Sequence, residues 1–339
     1  MKIRSICHII TIIICLILLL PLGINNACND QKCSFSNIKL HENNLEKIQR
    51  RSTHDPIIID DDPTRPGIDR SFATTAANEG WSGDGSNDNP YIIEGFSISN
   101  SQSDSIKIQN SDKHFVIKDC DISIAGRCGI YFYKAKNGLI QNVVATGCKD
   151  DGIWLDDSSN IKIDQCQFSN NKNTGITLMI TQSISVMNTE VCENGFEGFR
   201  ISSSGYVQIQ GCEIWANSKL SLTNGVYVHS STNVKINECN IYENGIGVWN
   251  HESDPKYKVD AKNNWWGSES GPSMAGSKTS SKADSVNENI DYKPYWKGKD
   301  GIEEEGDFPI TTVCILASSI FVVGFMILII FIIWRKRKR

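Results

Sequence analysis

A segment of about 23 residues recurs through the middle of the chain, and this repeat constrains the fold more than any other feature. Each copy opens with an apolar residue, and successive copies are spaced by 23 residues four times and then by 27. Related segments at Ile93 and Val259 bring the total to about eight copies. The six central copies begin at Ile117, Ile140, Ile163, Val186, Ile209 and Ile236. Such a chain is expected to stack one structural unit on the next.

Each repeat contains short stretches of alternating apolar and polar residues, separated by turns rich in Asn, Ser and Gly. Alternation of this kind predicts β-strands, and helical spacing is absent from the repeats. The four extra residues of the long copy fall near 218–223. A second column of the repeat is a glycine followed by an apolar residue, at Gly129, Gly152, Gly175, Gly198 and Gly225.

A unit of strands and turns this short cannot bury its apolar side alone. Coiled on itself, it stacks each turn on the previous one at about 4.8 Å and forms one continuous core. The repeat therefore predicts an all-β parallel β-helix. A leucine-rich-repeat horseshoe and a β-propeller are the alternatives, and the missing helical segment and the short period count against both.

Three segments flanking the central copies carry a family resemblance, and they lie at Gly83–Ile98, Asn263–Pro272 and Ala283–Trp296. With the repeats, they resemble the right-handed parallel β-helix family that includes the NosD-like domain. The resemblance implies a single-stranded, right-handed, pectin-lyase-like β-helix, closed near Tyr91–Phe96 at one end and near Trp265 and Trp266 at the other. NosD is a periplasmic accessory protein for a copper enzyme, and similar repeats occur in pectin-degrading enzymes, epimerases and adhesins. The resemblance therefore implies a fold more specifically than a function.

The N-terminus carries an apolar segment that is typical of an export signal. Ile6–Leu20 is apolar and follows Lys2 and Arg4, which predicts a secretory signal peptide over 1–27. An uncleaved N-terminal anchor and a lipoprotein modified at Cys28 are the alternatives.

The C-terminus carries a longer apolar segment, Phe308–Trp334, which has no charged residue over 27 positions and predicts a transmembrane helix. Acidic residues precede it and the basic residues 335–339 follow it, so the positive-inside rule places the C-terminus in the cytoplasm. The expected product is a single-pass protein of the cell membrane with its β-helix outside. The predicted layout is a signal peptide (1–27), a low-order segment (28–54), a β-helix with end caps (55–296, with its rungs over 93–262), a linker (297–307), a transmembrane helix (308–334) and a cytoplasmic tail (335–339).

The charge distribution excludes one class of partner. The formal net charge is −5, and seven positive charges lie at the two ends, so the rest of the chain carries about −12. Binding to nucleic acid needs clustered Lys and Arg to neutralise phosphates. We therefore expect no nucleic-acid partner.

One column of the repeat contains four cysteines, with Val143 and Thr189 filling the other central copies. A position that accepts Cys, Val and Thr is typical of a small buried site, so we expect core packing. A disulfide between the last two cysteines and a metal site are the alternatives, although zinc sites favour paired C-x-x-C spacing. Cys28 and Cys33 are better disulfide candidates because they are close in sequence. The column consists of Cys120, Cys166, Cys212 and Cys239.

The residue between the two apolar residues of each glycine-led strand points away from the core, because neighbours in a strand alternate faces. This outward column is mostly aromatic, and polar residues flank it. Aromatic rings beside polar groups can stack on sugar rings, although the same rings can serve only as cover for the sheet. The candidate ligand-binding residues are Tyr131, Tyr133, Trp154, Asp156, Arg200, Tyr227 and Trp249.

Catalysis is the alternative function for this face. Asp150 and Asp151 resemble the paired aspartates of β-helix polygalacturonases, but the NTD, GHG and R-I-K segments of those enzymes are absent. Glycosidase chemistry needs two carboxylates about 5 to 10 Å apart. Asp156 and Asp157 lie up to about 17 Å along the strand from the first pair, so turn aspartates are the simpler interpretation.

Two histidines suggest a metal site. His229 and His251 are 22 residues apart and are expected on adjacent turns, within bridging distance of one metal ion. No third ligand is evident in the sequence, and no cofactor is expected.

The sequence thus favours a membrane-anchored extracellular β-helix whose function is non-catalytic carbohydrate binding or surface display, with a surface glycan or polysaccharide as partner. A polysaccharide-active hydrolase, lyase or epimerase is the alternative, and a copper accessory protein is a third possibility. The sequence does not decide whether the protein is an enzyme, although the residue pattern favours a protein without catalytic activity.

Overall fold

The computed structural model describes residues 51–65, 69–99, 102–217, 224–275 and 283–301. All elements below belong to one unit that begins at Ser52. The described residues form 27 short β-strands, numbered in chain order, in three parallel sheets. From β1 (Ser52–Thr53) to β24 (Val259–Asp260), successive strands belong to sheets A, B and C in turn, so the chain coils into a parallel β-helix, as predicted. The β-helix has about seven turns, whereas the repeat predicts about eight.

The strand bounds show how regular this coil is. Sheet A contains β1 (Ser52–Thr53), β4 (Phe96–Ser99), β7 (Asp121–Ser123), β10 (Val144–Thr146), β13 (Gln167–Ser169), β16 (Glu190–Cys192), β19 (Glu213–Trp215) and β22 (Asn240–Tyr242). Sheet B contains β2 (Ile57–Asp60), β5 (Ile106–Gln109), β8 (Ile130–Tyr133), β11 (Ile153–Asp156), β14 (Ile176–Met179), β17 (Phe199–Ser202), β20 (Asn224–His229), β23 (Ile246–Asn250), β25 (Ser273–Met274) and β26 (Ser285–Val286). Sheet C contains β3 (Tyr91–Glu94), β6 (Phe115–Lys118), β9 (Lys136–Gln141), β12 (Ser159–Asp164), β15 (Gln182–Met187), β18 (Gly205–Gln210), β21 (Thr232–Asn237), β24 (Val259–Asp260) and β27 (Ile290–Asp291).

The strand register confirms the 23-residue period. On sheet C, Ile163 pairs with Ile140 on one side and Val186 on the other. At this turn, paired residues are still 23 positions apart on sheet A, where Trp215 pairs with Cys192. On sheet B they are 27 positions apart, because Val226 pairs with Phe199. The four extra residues therefore lie between β19 and β20, where the sequence predicts an insertion.

Inward-facing side chains form one continuous apolar core along the solenoid. The leading apolar column is fully buried, and the cysteine column is buried as well. Core packing was the predicted role of these cysteines. Cys212 and Cys239 are adjacent, and the backbone N–H of Cys212 donates to the Cys239 sulfur at 3.4 Å. Cys28 and Cys33 lie outside the described residues.

A buried asparagine ladder runs along the turns that connect sheet A to sheet B, a feature not predicted from the sequence. The side chain of Asn194 accepts from the backbone N–H of Asn171 and donates to the carbonyl of Phe168 and to the side chain of Asn217. Each side chain thus satisfies turn backbone on its neighbours, which lets polar turns lie against the core. The ladder consists of Asn171, Asn194, Asn217 and Asn244, and Asp284 ends it.

A helix closes the N-terminal end of the core. Helix α1 (Phe72–Glu79) begins after the cap residue Ser71 and ends at Gly80, which is in the left-handed conformation. Phe72 is fully buried and stacks on Tyr91 and Phe115 at 4.9 and 5.3 Å. The sequence places Tyr91–Phe96 at this end; these residues belong to β3, β4 and the residue between them, and the Phe72 ring of α1 stacks on Tyr91.

Towards the C-terminal end of the core, Trp266 is fully buried and lies against Gly247. Single 3-10 turns lie at Pro255–Tyr257 and Lys299–Gly301. In the second of these, Lys299 contacts Glu213 at 3.1 Å, and the backbone N–H of Asp300 donates to Asn240 at 3.0 Å. These contacts hold the last described residues against sheet A.

In the described part of the chain, no helix is both long enough and apolar enough to cross a membrane. The predicted signal peptide, transmembrane helix and basic tail all lie outside the described residues.

Candidate functional site

The outward face of sheet B carries the candidate ligand-binding residues. A glycine precedes each central strand because the next turn passes too close for a side chain. A Cβ on Gly152 would lie 2.7 Å from the carbonyl oxygen of Gly175. Beyond the glycine, alternation turns every second side chain away from the core, and residues one period apart become neighbours. Tyr131 therefore pairs with Trp154, and Tyr227 pairs with Trp249.

Tyr131 and Trp154 form the aromatic centre of this face. Their ring centroids are 6.0 Å apart and their planes are nearly perpendicular. The guanidinium of Arg127 lies 4.2 Å from the Tyr131 ring centroid and 5.4 Å from that of Trp154. Sequence analysis placed the two rings together but did not predict Arg127, which occupies the turn before β8. Two sequence signals point to Arg127: it lies four residues before an outward tyrosine, and it lies one 23-residue period after Asp104.

Arg127 is held in place by a buried carboxylate. Its Nη1 donates to Asp104 at 3.3 Å, and the Asp104 side chain is 5 % exposed. Burial raises the pKa of Asp104, and Arg127 opposes that rise. The second Asp104 oxygen accepts from the backbone N–H of Cys128 at 3.1 Å. Burial also raises the pKa of Tyr131, so its hydroxyl stays neutral over the physiological range.

Arg200 is held in a similar way on the same face. One of its terminal nitrogens donates to both oxygens of Glu197, at 3.0 and 2.9 Å, and its guanidinium lies 5.7 Å from the Tyr227 ring centroid. Between the two arginine clusters, Thr177 faces outward but is buried beneath its larger neighbours. The seven candidate residues thus share one sheet face, but they do not form a single flat aromatic surface.

Tyr133 and Asp156 lie at the far ends of β8 and β11 and pair with each other. Lys134 lies 5.1 Å from the Tyr133 ring centroid. Burial raises the pKa of Asp156, with a further rise from the charge of Asp157. These two residues therefore border the aromatic centre at one end of the strands.

The paired aspartates Asp150 and Asp151, for which the sequence favours a role in turns, point in different directions. Asp151 is 1 % exposed and accepts from the backbone N–H of Thr174 at 2.9 Å. Burial raises its pKa to about 6. Asp150 accepts instead from the Asn173 side chain at 3.0 Å. Asp151 lies buried before the start of β11 and Asp156 lies at its end, so the two carboxylates are at opposite ends of the strand.

His229 ends β20 and His251 directly follows β23, so the two histidines lie on adjacent turns, as predicted, with ring centroids 5.0 Å apart. Glu252 lies 3.5 Å from Nε2 of His229. Among the residues that the structure describes, no three His, Cys, Asp or Glu side chains are placed to hold one metal ion.

A surface groove of about 690 Å³ lies at the corner between sheets B and C, beside the start of α1. Lysines and aspartates dominate its lining, and none of the candidate residues contributes to it. We favour the aromatic face over this groove as a binding site, because an aromatic ring offers the apolar surface that a sugar ring needs. Residues that line the groove include Asp61, Ser111, Lys113, Lys134, Lys136 and Asp157.

A second aromatic group, which sequence analysis missed, lies on sheet A. Trp215 stacks on Tyr242 at 6.1 Å with nearly parallel planes, and Trp265 follows at 5.4 Å. Lys299 lies over the Tyr242 ring at 5.0 Å, and Trp215 donates to Glu190 at 3.0 Å. The rings stack mainly on one another, so this group strengthens the C-terminal end of the solenoid.

Several solved structures share this architecture. Pectate lyase Pel9A has 14% identity and a TM-score of 0.48, over 76% of this chain and 84% of that one. The A-module of mannuronan C-5 epimerase AlgE6 from Azotobacter vinelandii has 16% identity and a TM-score of 0.44, and this chain spans 64% of its length. The enzymatically active domain of tailspike protein 2 from bacteriophage CBA120 has 14% identity and a TM-score of 0.50, over 64% of this chain and 34% of that one. At such identities the likeness concerns the fold alone.

The sequence also matches a family model. No curated protein matches the chain, but the model described as the right-handed β-helix region matches residues 22–182 and again 104–265. These overlapping matches extend over more than half of the chain and contain the stacked turns described above. The protein therefore belongs to the right-handed β-helix family.

Proposed function

We propose that the outward face of sheet B binds carbohydrate without catalysing a reaction on it, and that the protein displays this face outside the cell. The observation that carries the proposal is the cluster of Tyr131, Trp154 and Arg127. Half-exposed aromatic rings with a charged donor beside them supply both the stacking surface and the hydrogen bonds that a sugar requires.

The perpendicular ring planes limit how a sugar can bind. One ring can lie flat against a sugar while the other borders it, so the pair offers one stacking contact of about 1 kcal/mol rather than two. Tyr133 and Asp156 extend the surface along the strands, and Arg200, Tyr227 and Trp249 extend it along the solenoid axis. Binding to an extended glycan is therefore expected to be weak at each subsite and to increase with glycan length.

The positions of the carboxylates favour binding over catalysis. A hydrolase needs two carboxylates across one bond, whereas Asp150 and Asp151 are committed to turn hydrogen bonds. A polysaccharide-active hydrolase, lyase or epimerase is the alternative, and it would require a proton acceptor beside Trp154. Release of new reducing ends or of unsaturated products from a bound polysaccharide would support the enzyme instead.

Glycan-array screening of the purified protein tests the proposal. We expect weak binding to an oligosaccharide and at least about fivefold weaker binding by Trp154→Ala, since each stacked ring is worth about 1 kcal/mol. Trp215→Ala is the matched control, because it removes a half-buried tryptophan from sheet A. Equal losses in the two variants, or no glycan bound by the parent protein, would refute carbohydrate binding at this face.

A metal accessory role is a second candidate, carried by the 5.0 Å approach of His229 and His251 and by the NosD-like resemblance. Imidazole is a common ligand of copper and zinc. Titration with Cu²⁺ and with Zn²⁺ tests this candidate. Stoichiometric binding that is lost in His251→Ala and kept in His114→Ala would favour it, and equal weak binding by both variants would exclude it.

We further propose that the protein is exported by 1–27, anchored by a transmembrane helix at 308–334, and displayed with residues 335–339 in the cytoplasm. The uncharged length of the apolar segment and the basic residues after it support this topology. Protease added to intact cells should remove the β-helix and spare an epitope at the C-terminus. Loss of that epitope from sealed cells would contradict the orientation.

A further inference from the structure

We propose that Lys107 and Arg127 form an anion receptor beside Tyr131, so that the face of sheet B selects glycans that carry an acidic group. The group could be a carboxylate or a sulfate ester, since either supplies an oxyanion. This inference rests on the proposed carbohydrate binding and names the class of glycan that is bound.

Arg127 is pre-organised for such a contact. A guanidinium has five N–H donors in one plane, and one nitrogen of Arg127 donates to Asp104. The Tyr131 and Trp154 rings lie within 5.4 Å and restrict its rotation, while the Asp104 carboxylate fixes its position. The Arg127 side chain remains 38 % exposed, so donors on its solvent side are within reach of a ligand. A fixed planar donor group can bind an oxyanion in bidentate fashion with little loss of side-chain entropy.

Lys107 adds a second positive charge to the same place. It lies on β5, paired with Tyr131 on β8, and its ammonium is 5.6 Å from the Tyr131 ring centroid. Two cations therefore approach one tyrosine ring, and the buried Asp104 balances one of them. Two more carboxylates act on this site from a distance: the charge of Asp150 acts on Asp104, and that of Asp156 acts on Tyr131. Asp150 itself accepts from the Asn173 side chain at 3.0 Å.

The Arg200 cluster has one cation beside its tyrosine ring, where the Tyr131 cluster has two. Both oxygens of Glu197 contact one nitrogen of Arg200, and the buried Asp151 acts on the same guanidinium. At this cluster, the carboxylates of Glu197 and Asp151 both interact with the single guanidinium of Arg200. An acidic group is expected to bind beside Tyr131 rather than beside Tyr227.

The test compares matched pairs of polymers on the full-length protein in detergent micelles. One pair is a polyuronate and the same polymer after carboxyl reduction, and the other is a sulfated glucan and its unsulfated parent. We expect at least one acidic polymer to bind about tenfold more tightly than its neutral partner at low salt, because a charged hydrogen bond contributes about one order of magnitude. The preference should fall as salt is added.

Variants assign the preference to these residues. Lys107→Gln should reduce it at least about threefold, while Lys162→Gln, which removes a lysine from sheet C, should leave it unchanged. Because Arg127→Gln alone would leave the buried Asp104 without its cation, the double variant Asp104→Asn/Arg127→Gln is used to remove the guanidinium, and it should abolish the preference.

The outcomes separate this inference from the proposed function. Equal binding of acidic and neutral polymers would overturn the anion receptor and leave carbohydrate binding intact. An equal loss in Lys107→Gln and Lys162→Gln would also overturn it, since the effect would then be one of net charge. Failure of every polymer to bind would overturn both.

Discussion

At the scale of single residues, the corners of the solenoid are notable for left-handed backbone at residues other than glycine. Most of these positions hold Asn, Asp, Ser or Glu, but Ile124 and Ile180 adopt φ values of 54° and 55° and are more than half exposed. A β-branched residue in this conformation costs roughly 1–2 kcal/mol. Exposure means that neither side chain recovers this cost by burial.

We therefore predict that Ile180→Asn will stabilise the protein by about 1 kcal/mol, because asparagine tolerates the left-handed region. Urea unfolding of the two proteins measures the change. The control is Ile176→Asn, four residues earlier and fully buried, which should destabilise strongly. A loss of stability in Ile180→Asn would show that this isoleucine has a packing role.

At the scale of the strand, alternation decides which substitutions the solenoid tolerates. Ile163 and Lys162 are neighbours on β12, but Ile163 is fully buried between Ile140 and Val186, whereas the Lys162 side chain is 49% exposed. Each strand packs on two neighbours, so a buried charge disturbs both contacts.

Ile163→Asp should lower the free energy of unfolding by about 4 kcal/mol or prevent folding, because it buries a carboxylate without a partner. Lys162→Asp should change it by less than about 1 kcal/mol, since only an exposed 3.8 Å contact with Asp164 is lost. Thermal unfolding of both variants provides the measurement. Similar losses in the two would mean that the assigned strand faces are wrong.

The asparagine ladder in the turns also contributes to the stability of the solenoid. Asn194 bonds to the turn before it and to the turn after it, and all of these groups are buried. Asn194→Ala should therefore destabilise by about 3 kcal/mol, because several buried donors and acceptors lose partners together. Asn173→Ala, which removes one partly buried bond to Asp150, should cost less than about 1 kcal/mol. Hydrogen exchange should show the loss at the adjacent turns, and equal costs would argue against a cooperative ladder.

At the scale of the whole molecule, two buried carboxylates link stability to pH. Burial raises the pKa of Asp151 and of Asp284 to about 6 in the folded protein. Both are ordinary aspartates in the unfolded chain, so the folded state binds protons more tightly. Their stabilising contribution is thus fully present below about pH 4 and is lost as the pH rises through 6.

Lowering the pH from 7 to 5 should accordingly raise the free energy of unfolding by about 1 kcal/mol for each group. Asp284→Asn should remove about half of this dependence, whatever its effect on absolute stability. Urea titrations at several pH values measure the slope. A stability that is independent of pH between 7 and 5, or a slope unchanged in Asp284→Asn, would contradict the assignment.

The sequence by itself determined the solenoid, because the turns of a β-helix repeat the same pattern of apolar and polar residues at a fixed spacing. Residues one turn apart occupy equivalent environments, so Ile140, Ile163 and Val186 had to be apolar together, and the four-residue insertion is visible as a change of step. The same spacing of residues predicts the outward column of sheet B and places His229 next to His251.

Only the tertiary structure decided how side chains from different columns meet. Arg127 and Asp104 lie one period apart in equivalent turns, whereas Trp154 belongs to a different column, so the period predicts that Arg127 and Asp104 are neighbours but does not predict the contact of Arg127 with the tryptophan ring. The stacking of Phe72 on Tyr91 depends on a single helix outside the repeat, which no self-comparison can reveal. A period determines which residues are neighbours along one column, but ring planes, contacts between arginines and rings, and end caps depend on packing between columns, which is established only when the chain is coiled.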